Sequence, residues 1–274
     1  MRSSKDRSYV KDVLRKFPKV RPELNEEYRN IYVRHYMENR EGGTKVSRIT
    51  SILESWGHKN VAKARNLGNK TGEHKKSSAG DNGEISTLEI GAGTLNQFKF
   101  EKKRGIYDIV EPFSELYENS AFIGNVDHIF ADIGDLDKDR EGSDIRRYDR
   151  ITAVYAFEHI LNLPEVIARA GLHLNEGGVL AVAIPNEGRF LWRLAYKCSS
   201  GLEFKRRYGL DYEVIMRHEH VNTADEIEVL LRLFFKSNKR KMFGIGKDLS
   251  LYRFYLCSEP DIEKCRKYLD KIGK

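Results

Sequence analysis

The chain has 274 residues, 40% of them hydrophobic and 32% charged, with a formal net charge of +7. That length builds one large α/β domain with an appendage, or two small domains, and no stretch approaches the roughly 18 apolar residues of a membrane span. The first twenty residues lack the apolar core of an export signal, and Cys198, Cys257 and Cys265 show neither metal nor redox spacing, so a reducing cytoplasm is the expected compartment.

Charge is unevenly spread. Residues 1–84 carry 19 Lys/Arg against 11 Asp/Glu, whereas the remaining 190 residues carry 29 against 30. A basic leading segment suits nucleic acid, an anionic membrane surface or a phosphorylated substrate. It equally suits a solvated helical face, because no basic–aromatic alternation runs through it. Residues 8–17 predict a short helix stopped by Pro18. Pro22-Glu23-Leu24 opens a second, with Leu24, Tyr28, Ile31, Tyr32, His35 and Tyr36 on one face and Gly42-Gly43 at its end. Ser47–Ala64 follows, with Ile49, Ile52, Leu53 and Trp56 in a stripe. Residues 1–65 therefore read as a helical extension that covers the mouth of a ligand site, and 66–84, rich in Gly, Ser, Lys and Asn, as a linker.

From Ile85 strand and helix alternate, the signature of a parallel sheet. The first strand runs into Leu88-Glu89-Ile90-Gly91-Ala92-Gly93-Thr94-Leu95, a glycine turn where the backbone can lie against a ligand. The second strand, Tyr107–Glu111, ends in an acid 22 residues beyond Glu89, placed to accept both hydroxyls of a ribose. The third, His128–Asp132, ends in another acid, where an adenine amine can be read. Arg150–Phe157 is apolar on both sides and therefore central. Pro164 opens a helix with Val166, Ile167 and Ala170 inward, closed by Gly177-Gly178. Val179–Ile184 is a fifth strand, ended by Pro185-Asn186. Thr223-Ala-Asp-Glu226 is a capping box for the helix Ile227–Phe235. Two β-rich runs, Arg240–Phe243 and Leu249–Cys257, flank Gly244-Ile-Gly246.

Glycine turn, ribose acid and base-reading acid at successive strand ends make the adenosine half of a nucleoside site. A nicotinamide fingerprint needs a third glycine at position 96, which is Asn. Through Leu88–Thr94, Glu111, Asp132-Ile133 and the strand around Ala153, the chain resembles the class I S-adenosylmethionine-dependent methyltransferases over about residues 85–258. The resemblance implies a Rossmann-like parallel sheet that ends in an antiparallel hairpin, the seven-stranded methyltransferase fold, with a catalytic domain at 85–274 and a substrate lid at 186–222. It implies S-adenosylmethionine as cofactor. Gly91, Ala92, Gly93 and Thr94 would wrap its methionine part and ribose, Glu89 orient its amino group, and Glu111 take the ribose. Asp132 and the amide of Ile133 would read adenine, and Tyr155 lies on the same edge. One departure is Leu95, where the family often has glycine.

Methyl transfer demands mainly in-line positioning and exclusion of water, with a base only where the acceptor must lose a proton. Glu158-His159 follows the fourth strand, where by resemblance an acid–His pair faces the acceptor. Adjacent residues point to different sides, so one of the two is expected in the pocket, with His159 a base or a positioning group. In Arg217-His218-Glu219-His220, followed by Asn222, the two histidines share a side if the backbone is extended. His220 is the substrate-facing candidate, and no third ligand accompanies the pair to make a metal site. The insert Asn186–Val221 interleaves aromatics such as Trp192 and Tyr196 with Arg189, Arg193, Lys197, Lys205, Arg206, Arg207 and Arg217. That pattern suits stacking on a sugar or base and clamping a phosphate, peripheral contact with an anionic membrane, or simple packing on the core. Tyr148 to Trp192 resembles the small-molecule branch associated with bacterial surface-glycan assembly, which implies a sugar hydroxyl on a nucleotide- or lipid-linked saccharide as acceptor. A nucleic-acid (RNA) methyltransferase is the alternative, although Ala156-Phe157-Glu158-His159 replaces the Asp/Asn-Pro-Pro-aromatic motif of amine-modifying enzymes. A non-catalytic cofactor-binding regulator is the third reading.

Overall fold

The computed structural model describes residues 4–32, 45–64, 84–102, 105–137 and 145–273. The stretch read as a linker, 66–84, lies outside them except for Glu84, as do Gly42-Gly43, His35 and Tyr36. The leading helices are α1 (Ser4–Leu14), α2 (26–32) and α3 (Lys45–Ala62). Helix α2 starts later than Pro22 because the side chain of Asn25 accepts the amide of Tyr28 and so caps it. Along α3, Ile52 is 71% exposed and so leaves the expected apolar stripe.

The strands β1 (Thr87–Ile90), β2 (Tyr107–Val110), β3 (Ile129–Phe130), β4 (Tyr148–Val154) and β5 (Leu174–Pro185) are parallel to one another, with α4 (Leu163–Leu172) before β5. The segment between β5 and the next long helix, expected as a lid, holds α5 (Phe190–Tyr196), a π-helical turn at Lys197–Gly201, α6 (Leu202–Tyr208) and α7 (Tyr212–Glu219). Helix α8 (Ala224–Phe234), the hairpin β6 (Phe235–Ile245) and β7 (Leu249–Pro260), and α9 (Ile262–Ile272) complete the chain. The order β3-β2-β1-β4-β5-β7-β6, with β7 antiparallel to both neighbours, is the anticipated seven-stranded sheet with a terminal hairpin.

The expected strand limits move in several places, β6 for one running from Phe235 to Ile245 where Arg240–Phe243 was expected. The third strand keeps two residues, because a 3-10 turn begins at Ile133. The fourth stops at Val154, since Tyr155 turns into the left-handed region with φ 54°. Gly177-Gly178 do not end α4, which stops at Leu172. They lie inside β5, where the register with β4 shifts between the Leu174 and Val179 pairings. A Cβ on Gly178 would meet three backbone oxygens at 2.9–3.2 Å, so the bulge needs glycine there.

The two faces of β5 alternate as a sheet buried on both sides requires. Leu180, Val182 and Ile184 enter the main core with α1, α4, α8 and α9, while Ala181 and Ala183 meet Val61 and Ala64 at the end of α3. Small residues there let α3 approach closely: a Cβ on Gly57 would sit 2.9 Å from that of Ala183 and 2.3 Å from the hydroxyl of Tyr155. The predicted capping box is present, with Thr223 and Glu226 exchanging side-chain and backbone bonds at the start of α8. Among the described residues no helix is long and apolar enough to cross a membrane.

Candidate active site

The ends of β1, β2 and β3 lie level, since Gly91 donates to the carbonyl of Val110 and Glu111 to that of Phe130. Strand order reverses between β1 and β4, the place where open parallel sheets take ligands. A cavity of about 960 Å³ opens there, its floor made of Gly91, Ala92, Gly93 and Thr94. Gly91 (φ 69°) and Gly93 (φ 51°) are both left-handed, and a Cβ on Gly91 would fall 2.5 Å from that of Ala156. Leu95, at the glycine position of the resembling family, also takes φ 63°, and its fully buried side chain packs with Phe98, Tyr107 and Ile109. Core burial thus offsets a conformation that glycine would adopt freely.

Glu111 is turned onto this floor. One carboxylate oxygen accepts the amide of Gly93 at 2.8 Å and the other that of Phe113 at 3.2 Å. Glu89 forms part of the wall but is 2% exposed and accepts the hydroxyl of Tyr107 at 2.8 Å. Burial pushes its carboxyl up to about 8. Asp132 and Ile133 depart from expectation. Asp132 is exposed and caps its own turn through the amide of Gly134 at 2.7 Å, while Ile133 is buried in the main core, and neither lines the cavity.

The other end of the cavity is built from six chain segments. Tyr155 donates to the carbonyl of Glu54 at 2.9 Å, which ties α3 over the floor, and its ring meets those of His58 and Tyr252. Phe157–His159 is a 3-10 turn, not an extended strand, so the rule of opposite sides fails and both Glu158 and His159 reach the wall. Asn222 anchors this turn, donating to the carbonyls of Phe157 and Ile160 at 2.8 and 2.7 Å. Glu158 is 2% exposed and, among the described residues, its Oε2 has no hydrogen-bond partner; burial pushes the carboxyl up to about 8. His218 and His220 do not share an extended run, because α7, capped by Asp211, continues through Glu219. His218 Nδ1 meets the carbonyl of Pro22 at 2.7 Å, whereas His220 Nδ1 meets the carboxylate of Glu187. The ring of His159 stands edge-on to that of His220 at 4.8 Å, with Nδ1 3.3 Å from the carboxylate of Glu219.

Sequence reasoning missed Arg21, Glu54, His58 and Glu187. Arg21 comes from the leading segment and donates to the carbonyls of His159, His218 and Glu219 at 2.9–3.1 Å. No local pattern marks it. Glu187 had a usable signal, its place just past a strand end on the ligand edge. Among the described residues Arg21 is the one Lys or Arg in the cavity lining, and the basic residues of the insert lie outside that lining. Arg189 pairs with Asp225 and Asp248, Lys197 and Arg217 pair with Glu213, and Arg207 lies over the ring of Tyr208. Two lysines of the leading segment are paired similarly, Lys16 and Lys19 with Glu226.

Fold and site define a class I nucleoside-binding methyltransferase, and the sequence agrees. Residues 58–234 match the family described as methyltransferase domain, and the chain belongs to it. No curated protein matches the sequence. Among solved structures it is similar to the plantazolicin methyltransferase BpumL in complex with SAH, with 16% identity, TM-score 0.50 and coverage of 93% of this chain and 100% of that one. It is also similar to an O-methyltransferase family protein from Burkholderia thailandensis (12%, 0.48, 93% and 70%) and to the N-methyltransferase NodS from Bradyrhizobium japonicum (15%, 0.36, 64% and 88%). The chain is an S-adenosylmethionine-dependent methyltransferase.

The residues present fit that cofactor. A floor that a Cβ would fill, an acid bonded to its backbone and a lining rich in carboxylates suit a ribose and a sulfonium cation. Gly91–Thr94 and Glu111 would hold it, and when bound it supplies an electrophilic methyl group on a neutral leaving thioether.

Proposed function

We propose that this methyltransferase acts on a hydroxyl of a small, uncharged acceptor, a saccharide hydroxyl by preference, bound between Trp192, Tyr252 and the two histidines. The observation that carries the reading is the pair of histidines at this end of the cavity: His220 Nδ1 meets the carboxylate of Glu187, and His159 Nδ1 lies 3.0 Å from the main-chain carbonyl of Glu219 and 3.3 Å from its carboxylate. A hydroxyl must lose a proton as it is methylated, and a carboxylate-backed imidazole is suited to take it. Aromatic faces beside them suit stacking on a sugar ring. A nucleotide or lipid carrier of the saccharide, met in the cytoplasm, would keep its phosphate outside the cavity, toward the exposed Arg193, Lys205 and Arg206.

The acidic lining, Glu54, Glu158 and Glu219, favours a second reading, a protonatable amine as acceptor. The experiment is transfer of labelled methyl from S-adenosylmethionine to a panel of saccharides and nucleotide sugars, small amines and RNA. Label on a sugar hydroxyl is the expected result. Label confined to amines would select the second reading, and label confined to RNA would reject both.

A further inference from the structure

We propose that Glu187 is a positioning residue for the proton step: it ties back Nδ1 of His220, leaving Nε2 to take the acceptor's hydroxyl proton as the oxygen lone pair forms the new bond to carbon. This rests on the hydroxyl reading above. The electron pair of the broken carbon–sulfur bond stays on sulfur, so the proton on His220 balances the charge lost from the sulfonium.

The geometry of Glu187 is held from three sides. Its Oε1 accepts the indole N–H of Trp192 at 2.8 Å and meets Nδ1 of His220, and the two side chains of the pair are each 16% exposed. An ionised carboxylate only accepts, so Nδ1 carries the proton and Nε2 holds the lone pair in the neutral ring. The residue before Glu187 fixes the backbone. Asn186 is fully buried, donates to the carbonyls of Lys247 and Ser250 at 2.7 Å each, and accepts from Nε of Arg253 at 2.6 Å. Arg253 in turn binds Asp225 and Glu228 of α8. The carboxylate thus stands on the hairpin and α8 instead of on the lid alone.

The groups that face His220 are Glu187 beyond β5, Glu158 and His159 in the turn after β4, and Glu219 at the end of α7. Burial alone would lower its pKa; the hydrogen bond and charge of Glu187, backed by Glu158 and Glu219, raise it. His159 is the more exposed of the two rings, at 32%.

The test is nitrogen NMR of the full chain, labelled at histidine and saturated with S-adenosylhomocysteine, with H220Q assigning the signal. The wild type is expected to show the Nδ1–H tautomer, and E187Q to lower the titration point of His220 by about 1–3 pH units while that of His159 stays. E187D should restore part of the shift. An Nε2–H tautomer in the wild type, which needs no variant to fold, would overturn the proposal. So would an unmoved His220 in an E187Q protein that still binds S-adenosylhomocysteine. Methylation of amines alone would instead remove the hydroxyl reading, with the histidine titration as expected.

Discussion

Nη2 of Arg21 donates to the main-chain carbonyl of His159 at 3.0 Å, across 138 residues of chain. The leading segment is therefore a strap that shapes the end of the cavity away from the glycine turn. R21A leaves three carbonyls short of a donor, for a stability loss of about 1–3 kcal/mol, read as a lowered denaturant midpoint. Methyl transfer should fall while S-adenosylhomocysteine affinity, measured by calorimetry, stays near wild type. Equal loss of cofactor affinity would show that the strap serves the whole cavity.

Glu111 binds the glycine turn and faces the expected ribose position. E111A removes charge-assisted hydrogen bonds of about 1.5–3 kcal/mol each, so S-adenosylhomocysteine affinity should drop about 10- to 100-fold. G91A should abolish binding, because its Cβ would collide with Ala156 at a left-handed φ. A D132A variant binding as weakly as E111A would show that Asp132 joins the cofactor despite its place outside the cavity.

Glu158 has its folded pKa raised, to about 8, above the value of 4.5 for a free side chain. Its stability contribution is fully present below the lower value and is lost as pH rises through the upper one. Relative to E158Q, the wild type should lose up to about 1.4 kcal/mol per pH unit across this window. Chemical denaturation at a series of pH values measures the difference. Parallel curves for the two proteins would mean that Glu158 ionises normally.

Glu226 behaves in the opposite sense. Burial would raise its pKa, but hydrogen bonds from Lys16 and Lys19 and from the Thr223 amide bring it down to about 2. Its contribution is present above the ordinary carboxylate range and is lost as pH falls through about 2. E226A removes one half of the capping box and both lysine partners, and should cost about 1–3 kcal/mol at neutral pH. A loss that vanishes when Lys16 and Lys19 are also changed to Met would assign it to the ion pairs.

What was legible in the sequence follows from the range of the interactions. Gly91, Gly93 and Glu111 were readable because a strand end, a tight turn and a fixed spacing are local. The capping box at Thr223 was readable for the same reason. Asp132 is less legible, because a strand-end carboxylate has a competing local use, and here it accepts the amide of Gly134 outside the cavity lining. His218 and His220 were read on an extended backbone, which the cap at Asp211 turns into a helix. Arg21 had no readable pattern, since all three of its carbonyl partners are at least 138 residues away. The left-handed turn at Tyr155, which ends β4 and swings the ring under α3, is imposed by tertiary packing that no short window contains.

Leu24 and Tyr28 bury themselves against Phe204 and Ile215, and the amide of Asp211 donates to the hydroxyl of Tyr28 at 2.9 Å. Ancestry and engineering meet the same constraint here. Transplanting helices α6 and α7 without the matching leading residues would leave an aromatic socket empty and the graft unseated. The two distant stretches of sequence are a single packing module, and a chimera must carry both.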